Sequence, residues 1–101
     1  MPTYHRVKIL PWFFRMVITG EKTFEIRIND RHYKMGDCIT LCEWKSKNDS
    51  TEAGYYTGRE ATYRIGTVMN IGPVQSRYVV FSLINPKIWD KHPFKSHSII
   101  G

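Results

Sequence analysis

The chain has 101 residues, of which 42% are hydrophobic, 14% aromatic and 24% charged. This excludes a disordered chain and suffices for one domain with its own core, without a disulfide or metal staple. Fifteen Lys and Arg against nine Asp and Glu leave a formal net charge of +6, which favours polyanionic partners such as RNA or DNA. The N-terminal stretch has no apolar signal core and no apolar run reaches the ~20 residues of a membrane span, so a cytoplasmic location and no membrane partner are the expectation.

In chain order, Tyr4 to Ile9 alternates His5, Val7 and Ile9 against Arg6, Lys8 and Leu10, which predicts a first strand with one basic side. Pro11 suits the first turn of a helix. Over residues 11–19, Phe13, Phe14, Met16, Val17 and Ile18 recur at spacings of three and four, and Gly20 stands where a left-handed residue ends a helix. The helix delivers the chain into a turn at Lys22. Residues 23–28 then read as a strand with Phe24, Ile26 and Ile28 on one face, able to build a core. Thr23, Glu25 and Arg27 lie on the other, free to meet a ligand or to form a surface ion pair worth only about 0–1 kcal/mol.

Lys22 falls on the apolar parity and reaches the polar face only from a turn that precedes regular pairing. Asn29-Asp30 and Gly36-Asp37 are turn signals, with Asp30 and Asp37 expected to bond nearby backbone. Residues 38–44 form the next strand, on which Cys38 and Cys42 stand roughly 13 Å apart, too far to pair or to share a metal. Glu43 leans inward on this strand with Leu41, and burial would demand a cation, with Lys22 or Arg27 the natural candidates.

Residues 45–54 read as an exposed loop, followed by Tyr55-Tyr56-Thr57-Gly58-Arg59. Residues 61–71 and 78–84 read as strands joined by a Gly72-Pro73 turn. The sum is an α+β chain, mainly β: a small barrel of about five strands with one or two short helices. Residues 1–84 form the barrel domain, and residues 85–101 a basic, aromatic C-terminal tail, docked or mobile. The scattered histidines match no metal pattern, so no metal and no cofactor are expected.

The ordered motifs His5-Arg6-Val7-Lys8-Ile9-Leu10, Gly20-Glu21-Lys22-Thr23-Phe24-Glu25-Ile26-Arg27, Asn29-Asp30-Arg31, Gly36-Asp37, Glu43-Trp44, Tyr56-Thr57-Gly58-Arg59 and Tyr78-Val79-Val80 resemble the ASCH superfamily of PUA-like β-barrels, and within it a compact bacterial and phage-associated branch of unknown function. The resemblance covers residues 4–84. It implies a cleft beside the Gly-x-Lys-x-x-Glu-x-Arg block and an association with RNA binding and nucleoside chemistry.

From the residues themselves, Lys22 and Arg27 can donate to phosphates or base edges and Glu25 can accept from an exocyclic amine. Arg31, Arg59 and Arg64 can track phosphates, and Trp44, Tyr55 and Tyr56 either stack bases or pack the barrel. The expected ligand-binding set is Lys22, Glu25, Arg27, Arg31, Glu43, Trp44, Tyr56 and Arg59. The expected ligand is RNA or a modified nucleoside, with DNA as an alternative.

One group of ASCH-like proteins hydrolyses the acyl amide of N4-acetylcytidine, and there the resemblance implies a lysine, a threonine two residues before the motif arginine and a distal glutamate. Lys22 matches the lysine, but Glu25 occupies the threonine position. As an enzyme, the chain would use Glu25 as a general base and Lys22 to stabilise an oxyanion. A ribonuclease using Lys22, Tyr56 and Arg59, and a protein-interaction module, are the remaining alternatives.

Overall fold

The computed structural model describes residues 1–48, 52–71 and 77–89. Among the described residues, five strands, β1 (Tyr4–Ile9), β2 (Phe24–Ile28), β3 (Cys38–Ser46), β4 (Gly54–Asn70) and β5 (Tyr78–Ile84), and two helices, α1 (Pro11–Ile18) and α2 (Pro86–Trp89), follow one another as β1-α1-β2-β3-β4-β5-α2. The strands form one sheet in the order β1-β3-β4-β5-β2. β1 runs parallel to β3, and the other three pairings are antiparallel.

β1 and β2 are neighbours in sequence yet stand at the two edges of the sheet. The helix between them has only eight residues, about 12 Å of rise. So short a link keeps the two edges close together, and the sheet curls into a half-barrel with an open side between β1 and β2. Leu10 and Pro11 open α1, and Gly20, at φ +83°, turns the chain out of it. Phe14 and Val17 are the helix residues that seal the core, which also takes Val7, Ile9, Ile39, Leu41, Ile65, Val79, Phe81 and Leu83.

The alternation expected for β1 holds, with His5, Val7 and Ile9 buried and Arg6 and Lys8 exposed. That of β2 is inverted. Glu25 is 3% exposed, whereas Phe24, Ile26 and Ile28 are 42%, 51% and 40% exposed, so the expected core face looks outward. Register is the cause: Glu25 lies opposite Phe81 and Arg27 opposite Val79. Those β5 residues are themselves almost fully buried, and residues directly opposite one another share a face of the sheet.

The strand expected from residue 61 begins at Gly54, so Tyr55, Tyr56 and Arg59 stand on β4 rather than on a loop. The Gly72-Pro73 turn lies outside the described residues. The tail contributes α2, whose Trp89 is buried under the Arg64 guanidinium, 4.8 Å from the ring centre. Arg64, expected to track phosphate, is thus a packing residue. The rest of the tail, residues 90–101, lies outside the described residues.

Candidate functional site

The open side of the half-barrel holds a cavity of about 670 Å³. Its walls are the facing edges of β1 (Val7, Lys8, Ile9) and β2 (Glu25, Ile26, Arg27, Ile28), with Lys22 and Phe13 at one end and Asp30, Arg31, Tyr33 and Tyr78 contributing the rest. Four cations line it against two carboxylates, so its field favours an anionic ligand.

Glu25 is the buried hub of this seam. Lys22 Nζ donates to its Oε1, and Arg27 Nε donates to its Oε2 at 2.9 Å. A carboxylate so deeply placed is tolerable because both oxygens meet a cation. Lys22 reaches it from the turn: its backbone N–H donates to the Met16 carbonyl at 2.9 Å, and regular pairing of β2 begins only at Phe24. The ammonium also lies 5.5 Å from the Phe13 ring centre and 5.3 Å from that of Phe24, which leaves it between two aromatic faces at the mouth of the cavity. Arg27 extends its fork across the gap, with Nη2 donating to the Lys8 carbonyl at 2.7 Å.

A second cluster sits where β3 and β4 part. Their register slips between Cys42 and Trp44, so that Thr57, Gly58 and Arg59 bulge opposite Glu43. Alternation with Leu41 turns Glu43 inward, where it is 6% exposed, and the bulge brings its partners to it. Its expected cations, Lys22 and Arg27, belong to Glu25 instead. The Thr57 hydroxyl donates to Glu43 Oε1 at 2.6 Å, and Arg59 Nη1 lies 3.7 Å from Oε2. The Arg59 guanidinium also covers the Phe14 ring at 5.0 Å.

Of the residues expected to bind ligand, the structure gathers Lys22, Glu25, Arg27 and Arg31 on the seam cavity. Glu43, Trp44, Tyr56 and Arg59 do not line it. Trp44 is buried with the Lys8 ammonium 4.5 Å from its ring centre, which makes it packing rather than a stacking platform. Tyr55 and Tyr56 remain exposed at 54% and 59%.

Sequence reasoning missed Lys8, Phe13, Tyr33 and Tyr78 on the cavity wall, and Thr57 as the partner of Glu43. The basic side of β1 pointed to Lys8; nothing local marked Tyr33. Burial pushes the Tyr33 phenol up, and the nearby Arg27 and Arg31 partly offset this, so at neutral pH it is a neutral hydroxyl.

Tyr33 also connects the cavity wall to a buried pair behind it, its ring centre 4.8 Å from that of His5. His5 Nε2 lies 2.9 Å from Asp37 Oδ2, and Asp37 accepts the N–H groups of Thr3 at 3.0 Å and Lys34 at 3.1 Å. Burial pushes the Asp37 carboxyl up, but these bonds outweigh it and hold the group below its ordinary value. The turn role expected of Asp37 is therefore present, with His5 added. Among the described residues, no three His, Cys, Asp or Glu side chains are grouped to hold a metal ion. No helix among them is long and apolar enough to cross a membrane.

Two comparisons with known proteins bear on this site. A family model described as "Domain of unknown function (DUF3850)" matches residues 4–83, a span that includes both clusters. The chain is also 33% identical over 84 residues to the "Uncharacterized 12.9 kDa protein in GpA 3'region" of Escherichia phage P2. That alignment covers 83% of this chain and 71% of the relative.

Proposed function

The chain belongs to the family described as domain of unknown function DUF3850, and from that premise we propose that it binds RNA or a nucleotide-like ligand in the seam between β1 and β2. One observation carries the reading: the buried Glu25 carboxylate, gripped by Lys22 and Arg27, on the wall of an open cavity of about 670 Å³. A carboxylate edge accepts from an exocyclic amine or ring N–H. The outward hydrogens of Lys22 and the guanidinium of Arg31 take phosphate or carbonyl oxygens, and Phe13 and Tyr78 offer ring faces. The net charge of +6 draws a polyanion to this opening. The resemblance to the ASCH superfamily points the same way, and the reading puts the protein in the cytoplasm.

The test is a titration with single-stranded RNAs and free modified nucleosides at low and near-physiological salt, for wild type and Lys22→Ala. Binding that persists at the higher salt and weakens at least roughly tenfold in the variant is expected, since one charge-assisted bond to a ligand contributes about 1.5–3 kcal/mol. Binding that disappears with salt and ignores Lys22 would be nonspecific attraction to the basic surface and would overturn the reading.

A second reading is favoured by the direct bond between Lys22 Nζ and Glu25 Oε1, which couples a proton donor and an acceptor on the cavity wall. In it the protein is a hydrolase of a modified nucleoside or of RNA, Glu25 activating water and Lys22 stabilising the developing oxyanion. Product analysis of the same mixtures separates the two, because Glu25→Gln then abolishes turnover while leaving binding measurable.

A further inference from the structure

The outer surface of the half-barrel is divided by charge. Where β1, β3 and the middle of β4 face outward it carries Arg6, Lys8 and Glu60, with Arg6 paired to Glu60. Where β2, β5 and the end of β4 face outward the composition changes. Phe24 lies opposite Ser82, Ile26 opposite Val80 and Ile28 opposite Tyr78, and Val80 in turn lies opposite Met69. Among the described residues these paired positions contain no charged side chain, although 24% of the chain is charged.

They are also open. Ile26 is 51%, Tyr78 49% and Met69 58% exposed, beside the two-fifths exposure of Phe24 and Ile28. β2 is an edge strand, and edge strands usually present charge or proline outward to discourage association. Here the charges of β2 point inward to the seam and its apolar residues point out, the reverse of what solvent exposure favours.

We propose that this face is a homodimer interface, covered by the same face of a second copy of the chain. Three observations select a second copy over other occupants. The first is charge: a protein of net charge +6 repels itself least where its surface carries little charge, and the paired positions at the centre of this face carry none, with Lys22 beside Phe24 and Arg64 opposite Ile84 at its margins. The second is symmetry. An isologous contact must be self-complementary about a two-fold axis, and the row Phe24-Ile26-Ile28 is apolar read in either direction, so rotation about Ile26 lays apolar on apolar. The third is area. Five large side chains exposed to this degree present roughly 400 Å² of mostly apolar surface per copy, about half the ~800 Å² per partner of a standard interface, with the remainder left to a polar rim. Two such faces stack as sheets do, ~10 Å apart. Ile26, Ile28 and Tyr78 also border the seam cavity, so the dimer would cover the β2 side of its mouth; Met69 lies outside the cavity lining, and its variant tests the proposal independently of the ligand assigned to the seam.

The test is sedimentation equilibrium of the full chain over a wide concentration range, for wild type, Ile26→Asp and Met69→Lys. Both substitutions fall at exposed positions, on different strands, so a folding failure of one leaves the other informative; circular dichroism and thermal melts verify each fold. The expected result is a reversible wild-type dimer whose dissociation constant rises more than roughly thirtyfold in either folded variant, the effect of an unpaired charge in an apolar contact. A wild type that stays monomeric throughout overturns the proposal, as does a dimer that neither folded variant weakens. A monomer in which Ile26→Asp alters only the binding of some other protein would assign the face to that protein and equally overturn it.

Discussion

Arg27 Nη2 donates to the Lys8 carbonyl oxygen at 2.7 Å, and with that bond the side chain of one edge strand reaches the backbone of the other across the open side of the half-barrel. The same guanidinium holds Glu25 through Nε, so a single planar group joins the buried carboxylate to the facing edge. Lysine retains the charge but cannot serve both acceptors in one plane. Arg27→Lys is therefore expected to lower stability by about 1–2 kcal/mol, seen as a lower urea midpoint. It should also speed hydrogen exchange along β1 more than along β3. Equal exchange changes in both strands would mean that the bond is not a latch.

Replacing Glu25 addresses the centre of the same network. Its side chain is 4% exposed, while those of Lys22 and Arg27 are 15% and 21% exposed, so removing the negative charge strands two cations that are only partly hydrated. Glu25→Gln keeps the shape and is expected to cost about 1–3 kcal/mol. If the cost arises from the stranded cations, adding Lys22→Met to Glu25→Gln should recover part of it. Additive losses in a double-mutant cycle would show that the pair is not coupled.

β1 was legible from its alternation, α1 from its apolar spacing of three and four between Pro11 and Gly20, and β5 from its nearly continuous apolar run. The inversion of β2 was not. Its pattern places Phe24, Ile26 and Ile28 inside by every local rule, and the decision comes from elsewhere in the chain: the register against β5, the Lys22 turn and the Lys8 carbonyl. Glu43 gives the same lesson. Its inward lean could be read from the strand, but its partner could not, because the bulge that presents Thr57 and Arg59 arises from a slip between two strands. The block around Lys22 could nevertheless be singled out from its dense charges and the turn marked by Gly20, and the fold places Lys22, Glu25 and Arg27 on one cavity wall.

Acid sensitivity is expected to centre on Asp37. Its carboxyl is held below the ordinary value by the bonds from His5, Thr3 and Lys34, which outweigh its burial. A group depressed on folding contributes stability that is fully present above its unfolded value of about 3.9, and that contribution is lost as pH falls through the folded value. Wild type should therefore lose stability steeply below about pH 4. Asp37→Asn should be less stable at neutral pH and show a flatter decline in acid, as read from urea midpoints across the range. A variant that follows the wild-type slope would place the acid-sensitive group elsewhere.

The bulge on β4 depends on Gly58, at φ +95°. A Cβ built there meets nothing within 4 Å, so the obstacle to a side chain is backbone conformation rather than space. Gly58→Ala is expected to cost about 1–2 kcal/mol, and the strand can relieve that strain by drawing Thr57 and Arg59 back toward regular pairing. That movement would break the 2.6 Å bond from the Thr57 hydroxyl to Glu43 and leave a buried carboxylate short of a donor. Glu43→Gln should therefore destabilise wild type but be nearly neutral in the Gly58→Ala background, because the bond it weakens is already lost. Equal penalties in the two backgrounds, measured by thermal unfolding, would show that the bulge holds its shape without the glycine.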